Sequence, residues 1–208
     1  MSPVFPPETR VELEGWCPAW ARLVPMPGLE AALDRGWAPA HEAFRQRFAG
    51  RKLTDDPVVG AIRRLFRAAG CDPTRYRPSS EALARRVLRG DTLPRIHPLV
   101  DLNNLVSLEL MVPCCVLNAA RVAPPFVLRA GREGERMQSM RGPFDLAGKP
   151  LLADEEGPLG TPITDSERVQ IRAGVEEAWL VAYLPESGPK EASFKQALAR
   201  ISRQASAG

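Results

Sequence analysis

The run Pro98-Leu-Val-Asp-Leu-Asn-Asn-Leu-Val-Ser-Leu-Glu-Leu110 constrains this chain more than any other stretch. It predicts a helix over roughly 98–111, opened by Pro98 at the first helical position. Leu99, Val100, Leu102, Leu105, Val106, Leu108 and Leu110 cover almost its whole circumference, so the helix must be buried on most sides. Yet Asn103, Asn104 and Ser107 share one arc of roughly 100°. Buried amides need partners or a wet cavity. Two readings stay open: polar groups that satisfy neighbouring backbone, or one wall of a pocket.

The segment before it reads as a second helix. Pro78 and Ser79 mark the start, and Glu81 lies in the first turn, where the macrodipole favours an anion. Leu83, Ala84, Val87 and Leu88 form the apolar stripe. Arg85, Arg86 and Arg89 occupy the last turns and Gly90 supplies the stop. Nine arginines between Arg63 and Arg95 face only Asp72, Glu81 and Asp91, a local charge of 9 − 3 = +6. The whole chain carries +3, so the remainder is about −3. Segregated arginine of this kind suits a phosphate-backbone partner, or it is a solvated face with dipole complements.

At 208 residues the chain fits one domain, or one domain with an N-terminal elaboration. No apolar run approaches the ~20 residues of a membrane span. The start, Met1-Ser-Pro-Val-Phe-Pro-Pro-Glu8, has neither the basic nor the apolar region of a signal peptide. A cytoplasmic chain without membrane partners is the expectation. Cys17, Cys71, Cys114 and Cys115 show no metal-ligand spacing, and only His41 and His97 could join them, so no metal and no cofactor are expected.

In chain order, residues 1–9 read as irregular and proline-rich. Val11 to Cys17 alternates like a strand, with Trp20 to Val24 as its neighbour across Pro18. Gly28 to Arg35 and Pro39 to Phe48 read as two helices, and Asp55 to Gly70 as a third with an acidic start and a glycine stop. Beyond Pro113 the period changes. Strands are predicted at Pro125–Ala130, Leu151–Asp154, Val169–Ile171 and Ala178–Leu184, with a strand or loop over Met137–Phe144. A helix near 190–202 precedes a frayed end. Helices first and strands afterwards point to an α+β fold, helices packed on one mixed or antiparallel sheet.

Val100-Asp-Leu-Asn-Asn-Leu-Val-Ser-Leu-Glu-Leu110, with Pro113 just beyond, resembles the core helix of the editing module of the bacterial phenylalanyl-tRNA synthetase β subunit. That family reads Val-Asp-Val-Thr-Asn-Tyr-Val-Met-Leu-Glu-Leu, then Pro-Leu-His-Ala-Phe-Asp. The pieces Arg77-Pro-Ser-Ser-Glu-Ala-Leu83 and Arg85-Arg-Val-Leu-Arg-Gly90 are similar to free-standing relatives of the module. The similarity covers about residues 54–184, which implies an editing-module-like core there. Residues 1–53 would be an elaboration packed on the same domain, and 185–208 a polar tail or helix.

The resemblance also implies a site. Asn103, Asn104 and Ser107 would line an amino-acid pocket. Pro113-Cys-Cys-Val-Leu-Asn118 aligns with the family's Pro-Leu-His-Ala-Phe-Asp, so Cys115 stands at the histidine and Asn118 at the aspartate. The family's Gly-Gly-Glu-x-Ser loop corresponds to Gly160-Thr-Pro-Ile-Thr-Asp-Ser-Glu167, bringing Thr164, Asp165 and Ser166 to the pocket. Cys115 packs, walls the pocket or acts as a nucleophile; the last would need a base that the sequence does not supply. Asp165 and Ser166 either serve the pocket or cap a turn. Of other hydrolase patterns, the Gly-x-Ser-x-Gly elbow, phosphate-cradling glycine loop and His-Glu-x-x-His are all absent.

The expected function is binding of an aminoacyl-tRNA and hydrolytic removal of a mischarged amino acid in trans. Asp165, Ser166 and Cys115 are the catalytic candidates, and Arg77, Arg85, Arg86, Arg89 and Arg95 would hold the tRNA. A non-catalytic module that binds tRNA or a free amino acid is the alternative.

Overall fold

The structure is a computed structural model, and it describes residues 8–203. The irregular start expected for 1–9 lies outside these residues up to position 7, as does the frayed end after 203. The fold is α+β, with two sheets and a hairpin where a single sheet was expected.

Strand β9 (Ala178–Pro185) is the centre, buried at every position. It pairs antiparallel with β2 (Trp16–Leu23) on one side and β3 (Cys114–Asn118) on the other. Its alternation serves two cores. Ala178, Leu180, Ala182 and Leu184 face helices, whereas Trp179, Val181 and Tyr183 face a second sheet. That sheet has the order β1 (Thr9–Val11), β4 (Phe126–Ala130), β7 (Pro150–Asp154), β8 (Gly157–Gly160), with β1 parallel to β4 and the other pairs antiparallel. A separate hairpin, β5 (Arg136–Ser139) and β6 (Gly142–Asp145), adds Met137 and Phe144 to a small third core.

The helical layer comprises α1 (Leu29–Arg47), α3 (Ser79–Leu88), α4 (Pro98–Leu110) and α5 (Glu191–Arg203). Leu102, Leu105, Val106 and Leu108 of α4 are all buried against its neighbours, as its circumferential apolar pattern requires. Phe194, Ala197 and Ile201 bury the stripe of α5. Helix α2 (Pro57–Ala68) spans both cores, with Val59 in one and Ile62 and Phe66 in the other. Asp56 caps it, Oδ1 accepting from the Val58 and Val59 amides.

Several local expectations fail for identifiable reasons. The strand expected over 11–17 breaks at Gly15, whose φ of 81° turns the chain. Its supposed neighbour is the same strand, β2, which runs straight through Pro18; β2 is an edge strand, where a missing amide is tolerated. The two helices around Trp37 are one, with Pro39 inside α1. The strand expected over 169–171 does not form: residues 167–169 make a 3-10 turn and 170–171 are irregular. Strands β3 and β8 had no clear periodic signal: every residue of β3 but the last is buried, and β8 is Gly-Pro-Leu-Gly.

Candidate functional site

The loop after β8 is bonded to the first turn of α3, and its Asp165 lies near Cys114 and Cys115 at the start of β3, where Cys114 also meets Ser107 of α4. The Ser79 amide donates to the Pro162 carbonyl at 2.8 Å, which fastens the loop to α3. Thr161 folds that loop tightly. Its amide donates to the Thr164 carbonyl at 2.9 Å, and its Oγ1 accepts from the Ile163 and Thr164 amides at 3.1 and 3.0 Å. Gly160 bridges to Asp165, and a side chain at 160 would meet Asp165 Oδ1 at 3.0 Å. A Cβ there would require Asp165 to give way by a few tenths of an ångström.

Asp165 is half-buried, and its charge raises the pKa of Cys114, Cys115 and Tyr183. Burial lifts it from the usual carboxylate range to about 7. Among the described residues, no hydrogen bond or ion pair to this carboxyl offsets the burial. A carboxyl in that state exchanges protons near neutral pH, which suits a general base or acid.

On α4, Ser107 Oγ donates to the Val112 carbonyl at 2.7 Å, and Cys114 Sγ approaches the same oxygen at 3.6 Å. Ser107 therefore satisfies backbone. One turn earlier, Asn103 Nδ2 donates to Asn104 Oδ1 at 3.3 Å, while Asn103 Oδ1 is buried without a hydrogen-bond partner among the described residues. Such an acceptor is held at a cost unless a donor reaches it. Of the two readings of the arc, Ser107 takes the backbone one.

Cys115 is fully buried in the core between the sheets, its Sγ 3.5 Å from Tyr183 Oη. Burial first, then the nearby Asp165, pushes the thiol well above its ordinary pKa. No thiolate is available near neutral pH, so the nucleophile reading is corrected to packing. Asn118 and Ser166 act as caps: Asn118 Oδ1 accepts from the Ala120 amide at 3.0 Å and Ser166 Oγ from the Arg168 amide at 3.4 Å. The Thr164 side chain is half-buried beside Asp165.

Most of the proposed tRNA arginines are engaged. Glu81, buried in the first turn of α3, accepts from Arg63 and Arg85 and lies 3.8 Å from Arg77. Arg89 pairs with Asp91 at 3.2 Å, and Arg95 with Asp101 at 2.7 Å and with Asp34. Arg86 is exposed and makes no ion pair among the described residues. Sequence reasoning placed Glu81 as a dipole complement and missed it as a charge hub. It also missed Tyr183, whose hydroxyl in an otherwise apolar run was the available signal, and Thr161. A groove of about 510 Å³ between α1, α4 and α5 uses a different arc of α4 and contains none of these residues.

Residues 61–203 match the family model for the B3/4 domain. The chain belongs to this family. The chain is similar to the phenylalanine–tRNA ligase β subunit of Bartonella henselae, 39% identical over 64 residues, which are 30% of this chain and 8% of the relative. It is also similar to that of Bartonella quintana, 29% identical over 102 residues, 45% of this chain and 13% of the relative. The matches thus cover a small part of those proteins. Among solved structures, an N-terminal fragment of the phenylalanyl-tRNA synthetase β subunit from Pyrococcus horikoshii superposes with a TM-score of 0.42 at 15% identity. It covers 54% of this chain and 42% of that one. The expected resemblance to the synthetase module is borne out at the level of family.

Proposed function

We propose that this B3/4 domain hydrolyses the ester of a mischarged aminoacyl-tRNA in trans. The observation that carries the reading is Asp165, a half-buried carboxyl without partners among the described residues, whose pKa lies at about 7. In the ionised form it would take a proton from water as the oxygen attacks the ester carbonyl. The ribose hydroxyl leaves with a proton, releasing free amino acid. Because Cys115 is buried and protonated, catalysis would run through positioned water rather than an acyl-thioester.

The alternative is a module that binds tRNA or an amino acid without hydrolysis. What favours it is that Ser107, Asn118 and Ser166 each spend their side chains on local backbone. Release of free amino acid from a panel of mischarged tRNAs, against a buffer blank, separates the two. Turnover that rises with pH through about 7 and is lost in Asp165→Asn supports hydrolysis. Release no faster than the blank across the panel favours the binding module.

A further inference from the structure

A second groove, of about 440 Å³, lies at the far end of α3. Arg85, Leu88 and Arg89 form one wall, and Lys52, Leu53 and Thr54, in and just before a short 3-10 turn (Leu53–Asp55), form the other. Lys52 and Arg89 are exposed, and so are Arg51 beside Lys52 and Arg86 beside Arg85. Asp55, Asp91 and Glu81 offset only part of this charge. Asp91 meets Arg89 in a pair in which both side chains are open to solvent, and Asp55 is exposed. Glu81 serves Arg63 as well as Arg85. Among the described residues no aromatic side chain lines the groove, so it offers charge without a stacking surface.

We infer that this groove holds the phosphodiester backbone of the RNA strand whose 3′ end reaches Asp165, and that the chain's N-terminal elaboration completes it through Lys52. The inference rests on the reading of Asp165 as the hydrolytic site. The first residue of α3 is bonded to the loop that carries Asp165, and its last turn carries Arg85 and, just beyond, Arg89. Helix rise places Arg89 about 15 Å from that end. A strand laid along α3 therefore has backbone phosphates at the groove while its end lies at the carboxyl. Lys52 precedes the family match, which begins at residue 61, so this wall is a feature of the chain rather than of the matched region.

The test is binding of an unacylated tRNA transcript to the full chain at salt concentrations from about 50 to 200 mM. Lys52→Ala with Arg89→Ala should weaken binding severalfold at the lowest salt. It should also flatten the slope of log K against log salt by about 1.4, roughly 0.7 for each single-strand phosphate deprived of its cation. Lys52→Arg should keep the parent affinity. Both residues are exposed, so the thermal melt should not move. A double variant with the affinity and slope of the parent would overturn the inference, and so would polyaspartate competing as well as the transcript. Amino-acid release is measured separately. Hydrolysis with unaltered binding in the double variant removes the groove alone; weakened binding without hydrolysis removes the Asp165 reading alone.

Discussion

Arg63 of α2 reaches the buried carboxylate of Glu81 in α3 through two hydrogen bonds, Nε to Oε2 at 2.8 Å and Nη2 to Oε1 at 3.2 Å. Arg85, one turn along α3, donates to Oε1 at 2.9 Å. The pair ties α2 to the helix that anchors the Asp165 loop. Burial opposes ionisation of Glu81, but the bonds from Arg63 and Arg85 outweigh it and hold the carboxyl below its usual range.

Replacing Glu81 with alanine removes that anion and leaves Arg63 largely buried without its partner. A loss of about 3–5 kcal/mol is expected by urea unfolding. Because the folded pKa is depressed, the contribution of Glu81 is present above the unfolded carboxyl pKa and is lost as pH falls through the folded value. Stability of the parent should therefore fall more steeply below about pH 4.5 than that of Glu81→Gln. Parallel curves would mean that the buried pair does not set the acid limb.

His41 carries the opposite problem. Among the described residues both ring nitrogens are buried without a hydrogen-bond partner, as is Nε1 of Trp37, whose ring meets the imidazole edge-on at 5.1 Å. Burial, and then Arg45, depress its pKa. The folded state therefore resists a proton that the unfolded state accepts near pH 6.5. Stability from a neutral His41 is complete above that pH and declines as pH falls towards the folded value. His41→Leu should be at least as stable as the parent at pH 8 and gain a further ~1 kcal/mol by pH 5.5. An equal difference at both pH values would rule out titration of this residue.

How much of this was legible in the sequence varies by residue. The near-complete apolar coverage of α4 announced its burial, and its arc of Asn103, Asn104 and Ser107 was visible from helical period alone. Which of those groups would be satisfied was not, because the Val112 carbonyl that receives Ser107 depends on how the chain turns at Met111, where φ is 59°. The arginine excess was equally plain. That Glu81 would draw in Arg63, eighteen positions earlier, is a tertiary fact with no periodic signature. Pro18 and Pro39 misled in the same way, since an edge strand and a long packed helix tolerate what local rules forbid. Asp165 could be named by alignment with the family loop, but its state comes from burial and the absence of a partner.

That state carries a cost. The folded pKa of Asp165 is raised, so its stabilising contribution is present at low pH and is lost as pH rises towards about 7. Asp165→Asn should raise stability by about 1–2 kcal/mol at pH 8, allowing for the solvent that reaches a half-buried group, with little change at pH 4. The same variant should lose amino-acid release. A stabilised variant without activity is the pattern of a strained functional group; full activity in a stabilised variant would leave Asp165 outside the chemistry.

Gly160 tests the geometry rather than the charge. A methyl there would lie 3.0 Å from Asp165 Oδ1, 3.2 Å from its Cα and 3.5 Å from the Thr164 carbonyl oxygen. Two of those atoms belong to the loop backbone, so the loop itself must move. Gly160→Ala should cost about 1–3 kcal/mol and reduce release of amino acid well beyond what the melt explains. Wild-type turnover in a folded Gly160→Ala would show that the loop position is immaterial.

The thiols offer the last discrimination. Cys71, Cys114 and Cys115 are buried and Cys17 is exposed. Burial lifts Cys71 to about 11 and pushes Cys114 and Cys115 further in the same direction. Iodoacetamide should therefore modify Cys17 in the native protein and reach the other three only on unfolding, as intact-mass measurement would show. Cys115→Ala removes the thiol that lies 3.5 Å from Tyr183 Oη, within hydrogen-bonding reach, and opens a small void between the sheets. A loss of about 1–3 kcal/mol is expected, with turnover by the folded fraction unchanged. Turnover that collapses while the melt holds, together with a trapped acyl-thioester, would place the chemistry on sulfur and require Cys115 to leave its buried position during the reaction.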